Sequence, residues 1–510
     1  MGVILPDYKK AVIDDITNSI EFNTASYYFF ASNPIQLTSP VSNVVTVDYN
    51  TEFSSDWLMI FGKKLVNTNI IPVINNIQWQ TNTVYTRYDN TIDNSNNNFY
   101  CITPPIVQGG NYNVYKCIDN NGNSASIYSP DQLQPTSFTK SDGYTWRYIT
   151  SITSEIYNNF ATNQYVPIVS NATIQSVAYS YKGVEVVVVA NGGTGYSTYN
   201  SGTILSNPNP YTVQISPTAS LSQDFYSKSS IYIYNINNST SQLLQISRYI
   251  SNTSGNWVIF NSQANTNNIE PSVTQYSIAP TVKITTNGSL PPKAYCTINT
   301  VSNSINSVVV VDTGSGVVWA NAQIVANSAF GSGANLYCIV PPPGGHGSNP
   351  AGELFCKGFG VSVVIANSEG NTISTNLSYN KIGLLKNPYI AANGQKTSVL
   401  YTSNTFSTLL YCNTSGSTTY TVGDKVTGSI SNSIGVVVSS NSSVLTMTGD
   451  QAFVNGEFIT SLTSNVSSQI NINKFADIYT ADIRPIYLQN INDVVRSGSQ
   501  SEAFKLIIQI

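Results

Sequence analysis

Hydrophobic residues near the start of the chain recur at intervals of four. In the stretch "PDYKKAVIDDITNSI", Tyr8, Val12, Ile16 and Ile20 share this spacing, which places them on one face of an α-helix. Asp7 follows a proline and can cap the first turn. The pattern predicts an amphipathic helix over residues 6–20.

A second helical pattern follows in "SSDWLMIFGKKLVN", with Ser54 or Ser55 as its cap. Between the two helices, "ASYYFFASNP" predicts an aromatic strand that ends at Asn33-Pro34. From Thr83 onward the pattern is typical of strands bounded by Asn, Gly or Pro, in the runs NTVYTRYD, NNFYCITPP, YNVYKCID and GYTWRYIT. The chain is therefore predicted to be mainly β beyond its N-terminal part.

The stretch "SDGYTWRYIT" concentrates aromatic residues on one side of a predicted strand. Alternation places Tyr144, Trp146 and Tyr148 on one face, with Thr145 and Arg147 among the residues of the other. Such a row can be a platform on which a sugar or a base stacks, or the buried face of a sandwich. Because aromatic residues dominate protein cores, we expect a buried face.

Two pairs of internal repeats occur beyond about residue 172. "VVVVANGGTGYS" recurs as "VVVVDTGSGVVW", and "YTVGDKVTG" recurs as "FVNGEFITS". In the second pair Tyr420 aligns with Phe453 and Gly423 with Gly456. The repeats predict small duplicated β-modules whose glycines occupy turns with positive φ.

Length and charge narrow the class of protein. At 510 residues, a prior of about 150 residues per domain suggests three or four domains. Only 9% of the residues are charged and the net charge is −4, against a typical charged fraction of about 25%. The longest basic runs are lysine pairs, so we expect no nucleic-acid binding.

No apolar run approaches the roughly 20 residues that span a bilayer, and we expect no membrane segment and no export signal.

The six cysteines are scattered without a C-x-x-C pair. Six cysteines allow 15 pairings, and the spacing favours none of them. A protein that folds in a reducing cytoplasm would keep them as buried thiols, which is the interpretation we prefer.

A search for catalytic groups finds few candidates. His346 is the only histidine and lies in "PPPGGHGSNP", so we expect an exposed loop rather than a catalytic or metal-ligating role. Paired carboxylates could come from distant positions, but Asp14 and Asp15 lie in the predicted helix, and Asp424 and Glu457 follow glycines in turns. No catalytic, cofactor-binding or metal-binding residue is assigned, and no cofactor is expected.

Three stretches together resemble a known family. They are "VYKCIDNNGNSAS" (Val114–Ser126), "SDGYTWRYITSI" (Ser141–Ile152) and "NNFATNQYVPIVS" (Asn158–Ser170). In this order they resemble the baseplate wedge subunit of T-even-type contractile-tailed phages, the gene-product-eight family. Ser141 departs from the family's usual glycine.

Further blocks carry the same resemblance. The C-terminal stretch Asp477–Ile510 is similar to the family's closing pattern, from which Ser499 and Phe504 depart. Residues 342–365, which begin "PPGGHGSNPAGEL", and residues 379–388, "YNKIGLLKNP", resemble blocks of marine and cyanobacterial members. The separate blocks follow the family's order and cover about half of the chain.

The resemblance implies a non-enzymatic scaffold. The expected fold is mainly β, with multi-domain β-sandwich or barrel-like modules and a few short helices near the N-terminus. The expected protein is a homodimer that binds other baseplate wedge proteins in the virion, after synthesis and assembly in the host cytoplasm. Neither nucleic acid nor membrane is an expected partner.

The expected domain division follows the blocks. Residues 1–173 form the first part of the wedge-subunit core, 174–340 hold inserted β-rich modules, 341–397 return to the core, 398–473 hold the duplicated small β-module, and 474–510 form the closing core segment. The main alternative is a tail-fibre or capsule-binding adhesin, with or without depolymerase activity. A secreted bacterial surface protein is a weaker alternative.

Overall fold

The computed structural model describes residues 6–34, 58–196, 199–325, 331–416, 418–449, 452–481 and 483–510. The fold is mainly β, with 47% of residues in strands and 8% in helices, which confirms the predicted class. Residues 1–73 and 357–510 make up one compact unit, and residues 74–356 make up the other. Each is described by itself below.

The helices of the described residues are short and few. They are α1 (Pro6–Glu21), α2 (Ser154–Phe160), α3 (Ala172–Ala178) and α4 (Pro350–Glu353), with single 3-10 turns at Asn67–Asn69 and Thr266–Asn268.

The strands follow in chain order. The first three are β1 (Tyr27–Ser32), β2 (Met59–Lys64) and β3 (Ile70–Asn75). The next group is β4 (Tyr100–Thr103), β5 (Tyr112–Asp119), β6 (Phe138–Thr139), β7 (Thr145–Ile152), β8 (Tyr165–Pro167), β9 (Val186–Thr194), β10 (Asn200–Thr203), β11 (Ser206–Asn209), β12 (Thr212–Ile215), β13 (Ser230–Asn235), β14 (Thr240–Asn252), β15 (Gly255–Phe260), β16 (Gln275–Ala279), β17 (Thr281–Thr286), β18 (Lys293–Asn299), β19 (Ser304–Asp312), β20 (Ala320–Val325) and β21 (Ser332–Ile339). The last group is β22 (Gly358–Ile365), β23 (Ser378–Lys386), β24 (Tyr389–Ala392), β25 (Gln395–Leu400), β26 (Thr405–Ser407), β27 (Leu410–Thr414), β28 (Lys425–Gly428), β29 (Ile434–Ser440), β30 (Val444–Gly449), β31 (Phe458–Ser461), β32 (Ser467–Lys474), β33 (Ile478–Tyr479), β34 (Pro485–Val495) and β35 (Glu502–Gln509).

The N-terminal helix forms as predicted, but of the predicted face only Ile20 is buried, and Ile13, which was not part of that face, is buried with it. Ile13 and Ile20 are buried, whereas Tyr8 is 61% exposed. Residues seven apart lie on one side of a helix after two turns. The buried stripe therefore runs through Ile13 and Ile20 and leaves Tyr8, in the first turn, outside it.

Two other local predictions are wrong. Residues 59–64 form β2, not a helix, because they pair with β1 on one side and β26 on the other; Ser54 and Ser55 lie outside the described residues. The run "NTVYTRYD" forms no strand beyond an isolated bridge at Thr83. There the backbone of Tyr85 bonds to side chains instead, with its N–H donating to Tyr144 Oη and its carbonyl accepting from Asn120.

In the first unit, β1 lies in the middle of a five-stranded sheet of order β26-β2-β1-β23-β34. All six residues of β1 are buried. A central strand covered on both faces shows no hydrophobic alternation, which explains the continuous apolar run "YYFFA". A second antiparallel arrangement joins β3, β22 and β35.

The same unit contains a small closed barrel of order β27-β30-β29-β28-β31-β32. The repeated stretches "YTVGDKVTG" and "FVNGEFITS" occupy matching places in it. Tyr420 and Phe453 are both buried in its core, and Gly423 and Gly456 have φ of 90° and 88°. The equivalent strands β28 and β31 pair antiparallel, with the matched residues of the two copies opposite each other at Thr427 and Thr460. The barrel is therefore a duplicated three-stranded unit with an approximate two-fold axis.

The second unit contains several sheets. A seven-stranded sheet has the order β10-β16-β13-β14-β15-β12-β11, and smaller sheets have the orders β19-β18-β17-β20, β21-β9 and β4-β5-β7-β6. The two valine repeats form β9 and β19, and each is followed by glycines at positive φ, at Gly193 and Gly195 and at Gly314 and Gly316. The predicted positive φ is thus confirmed in both copies, but the predicted turn is wrong in the first copy, because Gly193 lies within β9 where that strand pairs with β21.

The aromatic row of β7 is a core face, as expected. Tyr144 and Trp146 are fully buried and Tyr148 is 4% exposed; the three pack with Tyr85 and Phe138, among others. The Trp146 ring stacks on Tyr144 and meets Tyr85 edge-on at 5.3 Å. On the opposite face of β7, Arg147 and Ile149 are buried as well, which the alternation did not predict.

Replacement of the central ring should destabilise the fold. We expect Trp146→Ala to lower the free energy of unfolding by about 3–5 kcal/mol, because it removes a large buried side chain and leaves a cavity. Trp319, which is 52% exposed, provides the matched control, and Trp319→Ala should change stability little. Thermal melting of both variants measures the difference; equal melting temperatures would contradict the core assignment.

All six cysteines are buried free thiols, as preferred above. Burial raises the pKa of Cys296 and of Cys412 to about 12. The thiolate is the reactive form of cysteine, so these thiols should be inert in the folded protein.

We expect a thiol reagent to label none of the six cysteines under native conditions and all six after unfolding in denaturant. A native disulfide found by mass mapping would overturn this expectation.

Candidate functional site

The only histidine is buried, which corrects the expectation of an exposed loop. His346 is 3% exposed. Three neighbouring glycines, Gly344, Gly345 and Gly347, have φ of 79°, 93° and 79°, so the chain turns tightly around the imidazole. A Cβ at Gly345 would lie 2.1 Å from the carbonyl oxygen of Ala178. The glycines thus let the loop pack against the end of α3 and carry His346 inward.

His346 lies in a buried network of charged side chains. Its Nδ1 is 2.7 Å from Glu353 Oε1, and the same oxygen is 2.8 Å from Lys116 Nζ. The backbone N–H of Gly347 donates to the other oxygen, Glu353 Oε2, at 2.7 Å. Both members of the Lys116–Glu353 pair are almost completely buried, with 0% and 2% of their side chains exposed.

The network continues on the other side of the imidazole. His346 Nε2 is 3.4 Å from Glu185 Oε2, and Glu185 Oε1 is 2.9 Å from Arg147 Nη1. Ser137 Oγ also donates to Glu185 Oε1. The result is a continuous chain of contacts, Lys116–Glu353–His346–Glu185–Arg147, in which cations and carboxylates alternate around the imidazole.

Strand pairing explains why the carboxylates are needed. Lys116 on β5 lies opposite Arg147 on β7, and two like charges opposite each other in a sheet repel. Burial makes an uncompensated charge very costly. Glu353 on α4 and Glu185, just before β9, supply one carboxylate to each cation. Asn349 caps α4 by accepting from the N–H of Gly352 at 3.1 Å, which holds that short helix in place.

The ionisation of the carboxylates follows from this arrangement. Burial alone would raise the pKa of Glu353, but Lys116 and His346 lower it to about 2. Burial would likewise raise the pKa of Glu185, but His346 and Arg147 lower it to about 2. Burial lowers the pKa of Lys116, and Glu353 and Glu185 oppose this effect. At neutral pH the two carboxylates are therefore charged.

The network has little room for an outside molecule. A cavity beside it is lined by Tyr88, Glu185 and His346 together with Ile118, Val186, Ile339, Val340 and Pro341, and its free volume suits about one water molecule. The Tyr88 ring covers Lys116, with its centroid 3.2 Å from Nζ. The site can hold protons and charges, but it cannot admit a substrate of ordinary size.

Three of the other carboxylates considered above have local partners, and Asp15 is exposed. Asp14 forms an i, i+4 pair with Lys10 in α1. Asp424 accepts from Ser461 Oγ at 3.0 Å. Glu457 is 1% exposed and accepts from the N–H groups of Ile430 and Val454, among others. Asp424 and Glu457 thus serve the barrel's own turns. Within the described ranges no group of three or more His, Cys, Asp or Glu side chains is placed to hold a metal ion.

The first unit has a buried ion pair of its own. Arg496 is 1% exposed, its Nε is 3.5 Å from Glu502 Oε1, and its guanidinium lies over the ring of Phe61 at 5.1 Å. Arg496 Nη2 also donates to the carbonyl of Ala366 at 3.3 Å. Arg496 and Glu502 belong to the C-terminal block singled out in the sequence.

No family model and no curated protein matches the chain. Over the described part of the chain, no helix has both the length and the apolar character needed to cross a membrane.

Sequence reasoning named His346 but missed its partners. Within their strands, Lys116 and Arg147 are flanked by apolar or aromatic residues. A charged residue inside such a strand indicates that it is buried with a charged partner. Glu185, beside a run of valines, carried the same signal. The distance along the chain hid the pairing, since Lys116 and Glu353 are 237 residues apart.

The lowered pKa of Glu185 predicts how the stability of the fold depends on pH. A carboxyl whose pKa is about 2 in the folded protein, against 4.5 ordinarily, stabilises the fold fully above pH 4.5. That contribution, at most about 3 kcal/mol, is lost as the pH falls towards 2. We expect the urea midpoint of the wild type to drop over this range. Glu185→Gln should be less stable at pH 7 and show a shallower drop; an unchanged pH profile would contradict the assignment.

Proposed function

We propose that the chain is a structural subunit of the baseplate wedge of a contractile phage tail, a scaffold that forms a homodimer and binds other wedge proteins. The resemblance of its sequence blocks to that family is the starting point. On this proposal the chain turns over no substrate and needs no cofactor.

One observation carries the proposal. Lys116 lies in "VYKCID", Arg147 in "GYTWRYI", and His346 and Glu353 in "GGHGSNPAGEL", the blocks on which the resemblance rests. All four side chains meet in one buried network. The most distinctive charged residues of these blocks therefore hold segments of the second unit together, as a scaffold requires.

The surface composition supports the same proposal. With few charges and many amides and hydroxyls, the chain presents groups that form hydrogen bonds with a protein partner at low desolvation cost compared with charges. Exposed apolar residues such as Ile106, at 94%, and Val301, at 92%, lie near hairpin ends. Such positions suit contacts with neighbouring subunits in an assembly.

Localisation in the particle tests the proposal. An antibody against the purified chain, or a tagged chain, can be located on virions by electron microscopy. We expect the label at the baseplate. Label on distal fibres would contradict the proposal and favour the adhesin, and no label on any tail structure would exclude both.

Light scattering tests the expected homodimer separately. We expect the purified protein to have twice the chain mass of 55.2 kDa at micromolar concentration. A mass of 55.2 kDa at all micromolar concentrations would contradict the homodimer. The location in the baseplate would still be decided by the labelling experiment.

A further inference from the structure

The Lys116–Glu353 pair differs from the other lysine–carboxylate pairs in its surroundings. Lys63 and Glu369 are equally close, at 2.7 Å, but 30% and 16% of their side chains are exposed. Lys140 and Asp131 are 3.0 Å apart and also reach solvent. Only 0% and 2% of the Lys116 and Glu353 side chains are exposed. An amine and a carboxyl group are therefore held in contact where water is largely excluded.

We propose that the folded chain joins Lys116 Nζ to Glu353 Cδ in an intramolecular amide, an isopeptide bond, with His346 as the acid–base group. The reaction occurs once in each chain and consumes no outside substrate. It is thus a self-modification that goes beyond the scaffold function proposed above and is independent of it.

The positions of the groups around the pair favour this reaction. Lys116 Nζ, the nucleophile, lies 2.8 Å from Oε1 of the carboxyl group whose carbon it attacks. Reacting groups held in contact have effective concentrations far above those in solution. Gly347 N–H donates to Glu353 Oε2 at 2.7 Å, where it can stabilise the negative charge that develops on that oxygen during attack.

His346 is placed to move the protons. Its Nδ1 is 2.7 Å from Glu353 Oε1 and 3.4 Å from Lys116 Nζ, so the same nitrogen reaches both the leaving oxygen and the attacking nitrogen. Its Nε2 faces Glu185, which fixes the ring orientation. A histidine between nucleophile and leaving group, held by a carboxylate, has the arrangement of an acid–base catalyst.

The bond changes balance without another reactant. The reacting form is the neutral amine beside the neutral acid, reached when a proton passes from Nζ to the carboxyl group. Nζ attacks Cδ, and the N–C bond forms. The bond from Cδ to Oε1 breaks, and this oxygen leaves as water with the two protons that Nζ has lost. Nothing is oxidised or reduced.

Burial supplies both the driving force and the protection. Two charges taken out of water are costly even when they are paired, and the amide replaces them with a neutral group. The rings of Tyr88 and Phe99, whose centroids lie 3.2 and 5.8 Å from Nζ, shield the bond from hydrolysis. The Glu353 carboxyl group is ionised at neutral pH, so the neutral acid that reacts is rare. The bond should therefore accumulate slowly after folding.

Mass spectrometry of the purified full-length protein tests the proposal directly. We expect the intact mass to fall by one water, and a digest to contain the Lys116 peptide joined to the Glu353 peptide. The partly exposed Lys63–Glu369 pair is the internal control and should remain unlinked. An intact mass equal to that of the sequence after prolonged incubation, with both peptides free, would overturn the proposal.

A denaturing gel gives a second measurement. The bond closes a loop of 237 residues, so the linked chain should remain more compact in detergent and migrate faster. Lys116→Arg retains the positive charge but lacks the amine, and it should migrate as an unlinked chain. If the wild type and Lys116→Arg migrate together and share the unlinked mass, the proposal fails.

Two more variants separate chemistry from folding. Glu353→Gln retains an electrophilic Cδ and should release ammonia, giving a linked product identical in mass to the linked wild type. His346→Asn should form the bond at least tenfold more slowly, with native circular dichroism showing that it folds. A linked product at the wild-type rate in His346→Asn would remove His346 from the mechanism, and a failure of folded Glu353→Gln to link would contradict the proposed attack.

Discussion

The arrangement of the second unit depends on two cations that face each other in a buried sheet. Lys116 and Arg147 are opposite one another across β5 and β7, and neither can remain charged there without a carboxylate. Glu353 and Glu185 meet this requirement from segments far along the chain. The strand pairing therefore determines where α4, the His346 loop and the start of β9 must pack.

The same constraint explains why the glycines around His346 are needed. The loop must bring the imidazole between two carboxylates and also pack against the end of α3. At position 345 there is no space for a side chain beside Ala178. The positive φ of Gly345 is also unfavourable for other residues. The glycines thus allow a backbone conformation that places His346 between Glu353 and Glu185.

The abundance of asparagine has a structural explanation. Among the residues that the structure describes, most non-glycine residues with positive φ are asparagines, for example Asn23, Asn121 and Asn393. Asparagine tolerates the left-handed region because its short amide bonds to the local backbone. A chain with many strands needs many tight turns, and asparagine supplies them without adding charge. The composition therefore reflects turn chemistry as well as surface polarity.

The sequence by itself determined the local features of this protein. The mainly β class, β1, β5 and β7, the buried row through Trp146 and the duplicated unit of the barrel could all be predicted, because each depends on periodicity or turn residues within a short stretch. Tertiary structure decided the rest. Residues 59–64 form a strand because two neighbours pair with it, and His346 is buried because Lys116, Glu185 and Glu353 converge on it. Electrostatic pairing acts through space, so a pattern read along the chain gives the charged residues but not their partners.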